Sequence, residues 1–141
     1  VVYENMETGV PGIFACGNVV HVHDLVDYVS AESERAGAAA ADYVTNGQPE
    51  SASLTLTNGA NVGYTVPQKV RAARVAKMVD VFFRVSRVFE KSVVEVLDGE
   101  TVIASFKREH MAPGEMEHIL LTKAQLTAVT GGTVTVAAKE A

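Results

Sequence analysis

From Val62 onward the chain repeats with a period of two residues. Val79, Val81, Phe83 and Val85 alternate with Asp80, Phe82, Arg84 and Ser86, Val94 and Val96 flank Glu95, and Val102, Ala104 and Phe106 alternate with Ile103, Ser105 and Lys107. Successive side chains of a strand point to opposite faces, so this pattern calls for half-buried β-strands. Asp98-Gly99 lies between two of them and predicts a type I′ hairpin. Further strands are expected at residues 115–121, after the Pro113-Gly114 turn, and at residues 133–138. Between them, Thr122-Lys123-Ala124-Gln125 has capping-box spacing and predicts one short helical turn. Six or seven short strands after residue 60 predict a small antiparallel β-sandwich of immunoglobulin-like type, without the Cys and Trp of true immunoglobulin domains.

The first third reads differently. Ile13, Phe14 and Ala15 follow Pro11-Gly12 as a short buried-type strand that Gly17 ends. Asp24 is the expected N-cap of a helix, with Asp27 in its first turn favouring the positive dipole end. That helix is predicted to reach about Val44, with Gly47 as its stop, and its second half, from Ala36 to Ala41, offers a low-bulk face suited to a partner sheet. Residues 1–60 carry eight acids and one base, whereas residues 61–141 carry nine acids and eleven bases. The predicted organisation is therefore residues 1–47 as strand, loop and helix, residues 48–60 as a linker or first strand, and residues 61–141 as the sandwich. The chain opens on VVYENMETG, which reads as sequence from within a longer protein.

The run TGVPGIFACGN, residues 8–18, resembles the C-terminal flavin-binding segment of the FAD-dependent pyridine nucleotide-disulfide oxidoreductases. Thr8, Pro11, Gly12, Ile13, Phe14, Ala15 and Gly17 match that pattern, and Ala36-Gly37 with Ala40-Ala41 match the end of the helix that follows. The resemblance implies an N-terminal strand–helix remnant of an FAD-binding α/β domain ahead of the sandwich, an α+β and mainly β chain. It implies FAD as cofactor and NAD(P) as the parent enzyme's substrate. Gly17 and Asn18 would lie at the flavin, with Asn18 in place of the family's usual acid, accepting from a ribityl hydroxyl. The backbone of Asp27, Tyr28 and Val29, at the helix start, would face the negative N1/O2 edge of the reduced flavin. No catalytic residue is assigned. No G-x-G-x-x-G occurs in the chain, so on its own it is expected to bind FAD negligibly and to be inactive.

The remaining features are weighed against simpler roles. His21 and His23 would point the same way on an extended segment, a two-point metal grip. A metal needs a third ligand, and the nearest acids, Asp24 and Asp27, already serve the helix start, so no metal is assigned. The two histidines are expected to line the flavin or substrate side of the parent's cleft or to be solvated loop residues. Cys16, the single cysteine, reads as a small buried residue in a chain of reducing, cytoplasmic character. Arg71, Arg74, Lys77, Arg84, Arg87 and Lys91 lack the interleaved exposed aromatics that nucleic acid requires; a solvated sheet face, or docking against the acidic first part or a partner subunit, suits them better. No apolar run of about 18 residues is present, which excludes a helical membrane span. Expected partners are the rest of the parent FAD/NAD(P) domains, a second copy through the N-terminal arm or the sandwich, and a partner flavoprotein. The other readings are a stand-alone sandwich interaction module with a helical arm, and a small metal- or ligand-binding protein built around HVHD.

Overall fold

The computed structural model describes residues 1–49 and 51–141; Glu50, within the predicted 48–60 linker, lies outside the described residues. Strands β1 (Leu54–Asn58), β2 (Val62–Val66), β3 (Lys69–Val70), β4 (Met78–Val85), β5 (Ser92–Asp98), β6 (Thr101–Arg108), β7 (Glu117–Thr122) and β8 (Thr133–Glu140) form two sheets. Their orders are β3-β1-β8-β5-β6 and β2-β4-β7. The alternation in β4 sets the packing, because Val79, Val81, Phe83 and Val85 all turn into the core between the sheets, where Val94, Val96, Ile119, Leu121, Val134 and Val136 meet them. The result is a β-sandwich, with the predicted capping box formed at helix α2 (Lys123–Thr127) by Thr122 and Gln125. Among the described residues, no helix is long and apolar enough to cross a membrane.

Three details depart from expectation. The sandwich is not wholly antiparallel, since β1 runs parallel to β8 from Thr55↔Thr133 to Asn58↔Val136. A parallel pair needs a long crossover, and here the intervening six strands supply it. The hairpin pairs Asp98 with Thr101, leaving Gly99-Glu100 as the two-residue loop. Only Gly99 of that loop has a positive φ, 62°, the pattern of a type II′ turn, not I′. Asp98 stays in the strand with its carboxylate accepting from the N–H groups of Thr130 and Gly131. In β6 the register slips between Leu97↔Val102 and Val96↔Ala104, so Ile103 is an extra residue. That bulge leaves Ile103 packed against the core and Val102 exposed, where strict alternation had put Val102 inward.

The N-terminal arm covers the outer face of the smaller sheet. Helix α1 (Val26–Asn46) ends at Gly47, whose N–H donates to the Tyr43 carbonyl, and its buried residues, Glu32 and Ala36, lie on a partly buried stripe that includes Tyr28, Val29, Ala39 and Tyr43. Ala36 joins Val2, Met6 and Val66 in a second small core. The strand expected at Ile13, Phe14 and Ala15 is reduced to one bridge between Phe14 and Glu7, because only the short turn from Thr8 to Ile13 lies beside it as a partner. Cys16 is half-buried against the second core.

Two of the basic residues dock against the acidic first part. Arg71 reaches Glu4 and Glu7, and Arg84 reaches Asp24, whereas Arg87 pairs with Glu140 inside the sandwich.

Candidate functional site

The chain turns at Gly17, whose φ of 70° is one an L side chain adopts only with strain, and enters a 3₁₀ turn, Gly17–Val19. It then runs extended through residues 21–23. Alternation there buries His21 and His23 and leaves Val22 exposed. Both imidazoles point the same way, and both Nε2 atoms converge on one oxygen, Glu32 Oε2, at 2.8 and 2.7 Å. The other oxygen, Oε1, accepts from the Gly17 N–H at 2.8 Å. Glu32 therefore ties the turn, the two histidines and the second turn of α1 into one unit. All three side chains are sealed from solvent, none more than 3% exposed.

Phe82 forms the floor. It points outward from β4, and its ring lies 4.9 Å from His23, 5.9 Å from His21, 5.4 Å from Tyr28 and 5.1 Å from His118, the last stacked nearly parallel. On either side of Phe82, Asp80 accepts from Arg35 and His118, and Arg84 donates to Asp24 and to the Val22 carbonyl.

The predicted flavin residues separate into two groups. Gly17 is buried with its N–H taken by Glu32, and Val29 packs beneath it, with its Cγ1 3.8 Å from where a Gly17 Cβ would sit. Tyr28 is half-buried and turned to Phe82 and His118. Asn18 and Asp27 face solvent. Asp24 does not cap α1: Leu25 is the N-cap residue and makes no side-chain bond. The Asp24 carboxylate instead accepts from the Met116 N–H and from Arg84, and those bonds hold it below the usual aspartate range.

Glu32 is the residue sequence reading passed over. It sits in SAESERAG, which looks like a solvated helix face, yet it falls four residues before buried Ala36 and four after Tyr28. A carboxylate on the inward stripe of a helix was the signal available.

Burial alone would raise the Glu32 carboxyl, but the bonds from His21, His23 and the Gly17 N–H outweigh it and bring the group down to about 2. A depressed folded-state value means that Glu32 contributes stability above its unfolded value near 4.5, and that this contribution is lost as pH falls toward about 2. Urea midpoints measured across that window are expected to fall more steeply for the native chain than for Glu32→Gln. Parallel curves would remove Glu32 as the cause.

No protein-family model, curated protein or solved structure matches the chain. Fold and site together define a two-sheet β-sandwich whose outer face carries a buried His–Glu–His cluster under a helical arm.

Proposed function

We propose that the chain is the C-terminal portion of an FAD-dependent, NAD(P)-linked oxidoreductase. In this reading residues 1–47 supply the last flavin-contact segment, and the immunoglobulin-like sandwich is an accessory domain. The observation that carries it is the position of uncovered apolar surface around the segment that resembles the flavin motif. Among the described residues, twelve large hydrophobic side chains are exposed, and six of them are Val10, Ile13, Val19, Val22, Leu25 and Val26. Half of these exposed side chains thus fall within one segment of seventeen residues, which suits a segment covered by a neighbouring domain. A groove of about 380 Å³ opens beside Thr8, Val10 and Val19 along the same segment.

The residues present fit the group. Asn18 is free to offer its amide oxygen to a ribityl hydroxyl, and no side chain claims the first N–H groups of α1, which the resemblance aims at the flavin pyrimidine edge, although the Tyr28 N–H already donates to the Leu25 carbonyl. Gly17 has the narrower task of shaping the turn, since its own N–H is occupied by Glu32. When bound, the flavin accepts a hydride from NAD(P)H and passes electrons to an acceptor.

The test uses the chain extended upstream to its natural start. That frame is expected to encode a G-x-G-x-x-G, and Asn18→Ala in the extended protein is expected to weaken FAD retention about fivefold, the worth of one neutral hydrogen bond. Visible flavin absorbance after gel filtration reads it. An upstream frame without the motif, or tight stoichiometric quenching of FAD fluorescence by the present chain alone, would overturn the reading. The second reading, a stand-alone interaction module with a helical arm, is favoured by one observation. The arm is bolted to the sandwich by the buried Arg71 cluster, which makes it part of the sandwich's own fold.

A further inference from the structure

We propose that His21, His23 and Glu32 form a binding site for one divalent transition-metal ion of the zinc class. The ion would be held by two imidazole nitrogens and one carboxylate oxygen. The inference does not depend on the flavin reading, because it stands on the cluster's own geometry.

The first argument is convergence. Two imidazole nitrogens converge on one carboxylate oxygen, Glu32 Oε2, while Oε1 is held by the Gly17 N–H, and the three ligand-type atoms lie within 4.8 Å of one another. Ligands at zinc distances of about 2.0–2.1 Å stand roughly 3.3 Å apart in a tetrahedron. The present contacts of 2.7 and 2.8 Å therefore need to open by only about half an ångström to admit an ion.

The second argument is charge. The Glu32 carboxyl is sealed from water between the two imidazoles, and among the described residues no Lys or Arg pairs with it. A divalent cation between the three groups supplies the countercharge that a buried carboxylate otherwise lacks.

The third is ring orientation. Each imidazole presents Nε2, the nitrogen an ion would take, to the shared oxygen, while among the described residues His21 Nδ1 and His23 Nδ1 are buried without a partner with or without an ion. The donor set, two imidazoles and one carboxylate, suits zinc and its borderline neighbours, not calcium or magnesium. The three ligands come from one short segment, the extended HVH run and the second turn of α1, so the ion would pin the arm's loop to its helix.

The experiment is a titration of the chelator-treated chain with zinc chloride by calorimetry, repeated with cobalt(II) to read the ligand field by visible absorption. One ion per chain is expected, with a higher thermal midpoint and cobalt bands of low-symmetry nitrogen and oxygen coordination. His23→Gln and Glu32→Gln keep a group that can bond within the cluster but bind metal poorly, and each is expected to weaken zinc binding about a hundredfold or more. Far-UV circular dichroism checks that both still fold. His110→Ala, an exposed histidine outside the cluster, is expected to change nothing. Absence of zinc binding by the folded chain overturns the proposal. So does stoichiometric binding that survives both variants, or a stability loss in them that is the same with and without zinc.

Discussion

Arg71→Met is expected to lower stability by about 3–5 kcal/mol, the cost of breaking a buried ion pair by removing one partner. For a chain of this size that amounts to roughly 10 °C or more in the thermal midpoint. Arg71 is 3% exposed and lies just past β3. Its guanidinium donates to Glu4 at 3.3 Å and to fully buried Glu7, while its plane covers the Tyr3 ring at 3.7 Å. Its backbone N–H also donates to Glu4, at 3.0 Å. Methionine keeps much of the stem's volume but leaves two carboxylates without a cation, and among the described residues no other base contacts them. Burial already pushes the Glu4 carboxyl above its usual value against the pull of Arg71. In the variant the Glu4 carboxyl loses that pull and is pushed up further, and a raised folded-state value makes deprotonation the destabilising event. The deficit should therefore be largest near neutral pH and shrink as pH falls through the raised value toward 4.5. Adding Glu4→Gln and Glu7→Gln to Arg71→Met should recover a good part of the loss, because amides bury at lower cost than unpaired carboxylates. Thermal unfolding of the three proteins at about pH 7.5 and about pH 5 checks both statements. An equal drop at both pH values would mean that lost packing on Tyr3, not stranded charge, explains the effect.

What the sequence disclosed and what it hid follow one physical division. Local chemistry was readable: the alternation in β4, the Thr122–Gln125 box and the Gly47 stop each depend on neighbours a few residues apart. The same-side placement of His21 and His23 was readable too, because an extended segment fixes it. Contacts across long separations were not. The pairing of Arg71 with Glu4 and Glu7 spans more than sixty residues, and only the charge imbalance between the two parts hinted at it. Asp24 shows the division within one residue. Read locally it is a helix cap, but Arg84 and the Met116 N–H, both far along the chain, offer it a charge-assisted pair and a strong backbone donor instead. Glu32 was hidden by composition, since one carboxylate among Ser, Glu and Arg looks solvated until the helix has something to face.

The two adjacent phenylalanines of β4 separate the arm's contribution from that of the sandwich. Phe82 and Phe83 are both nearly inaccessible, but they point to opposite faces: Phe83 into the core between the sheets, Phe82 into the ring cluster of His21, His23, Tyr28 and His118. Truncating either to Ala is expected to cost about 3–5 kcal/mol in lost burial and cavity formation. The consequences should differ in place. Phe83→Ala removes a side chain that the strands of both sheets pack around, so the whole sandwich should unfold at lower urea in one transition with an unchanged slope. Phe82→Ala loosens the contact between α1 with its leading loop and the outer face, where the remaining contacts include the part-exposed Arg35–Asp80 and Arg84–Asp24 pairs. Residues 1–7 are held separately by the Arg71 clasp, the Val2 bonds to Gln68 and Lys69 and the second small core. Residues 17–46 should then become sensitive to limited proteolysis while residues 54–140 remain folded, because opening that stretch leaves the Arg71 clasp on residues 4–7 intact. If Phe82→Ala instead lowers the single global transition as Phe83→Ala does, the arm is an integral layer of the sandwich and the stand-alone module gains ground. A separable arm is what a segment shared with a neighbouring flavin domain requires, since its apolar rim from Val10 to Val26 must be free to meet that neighbour.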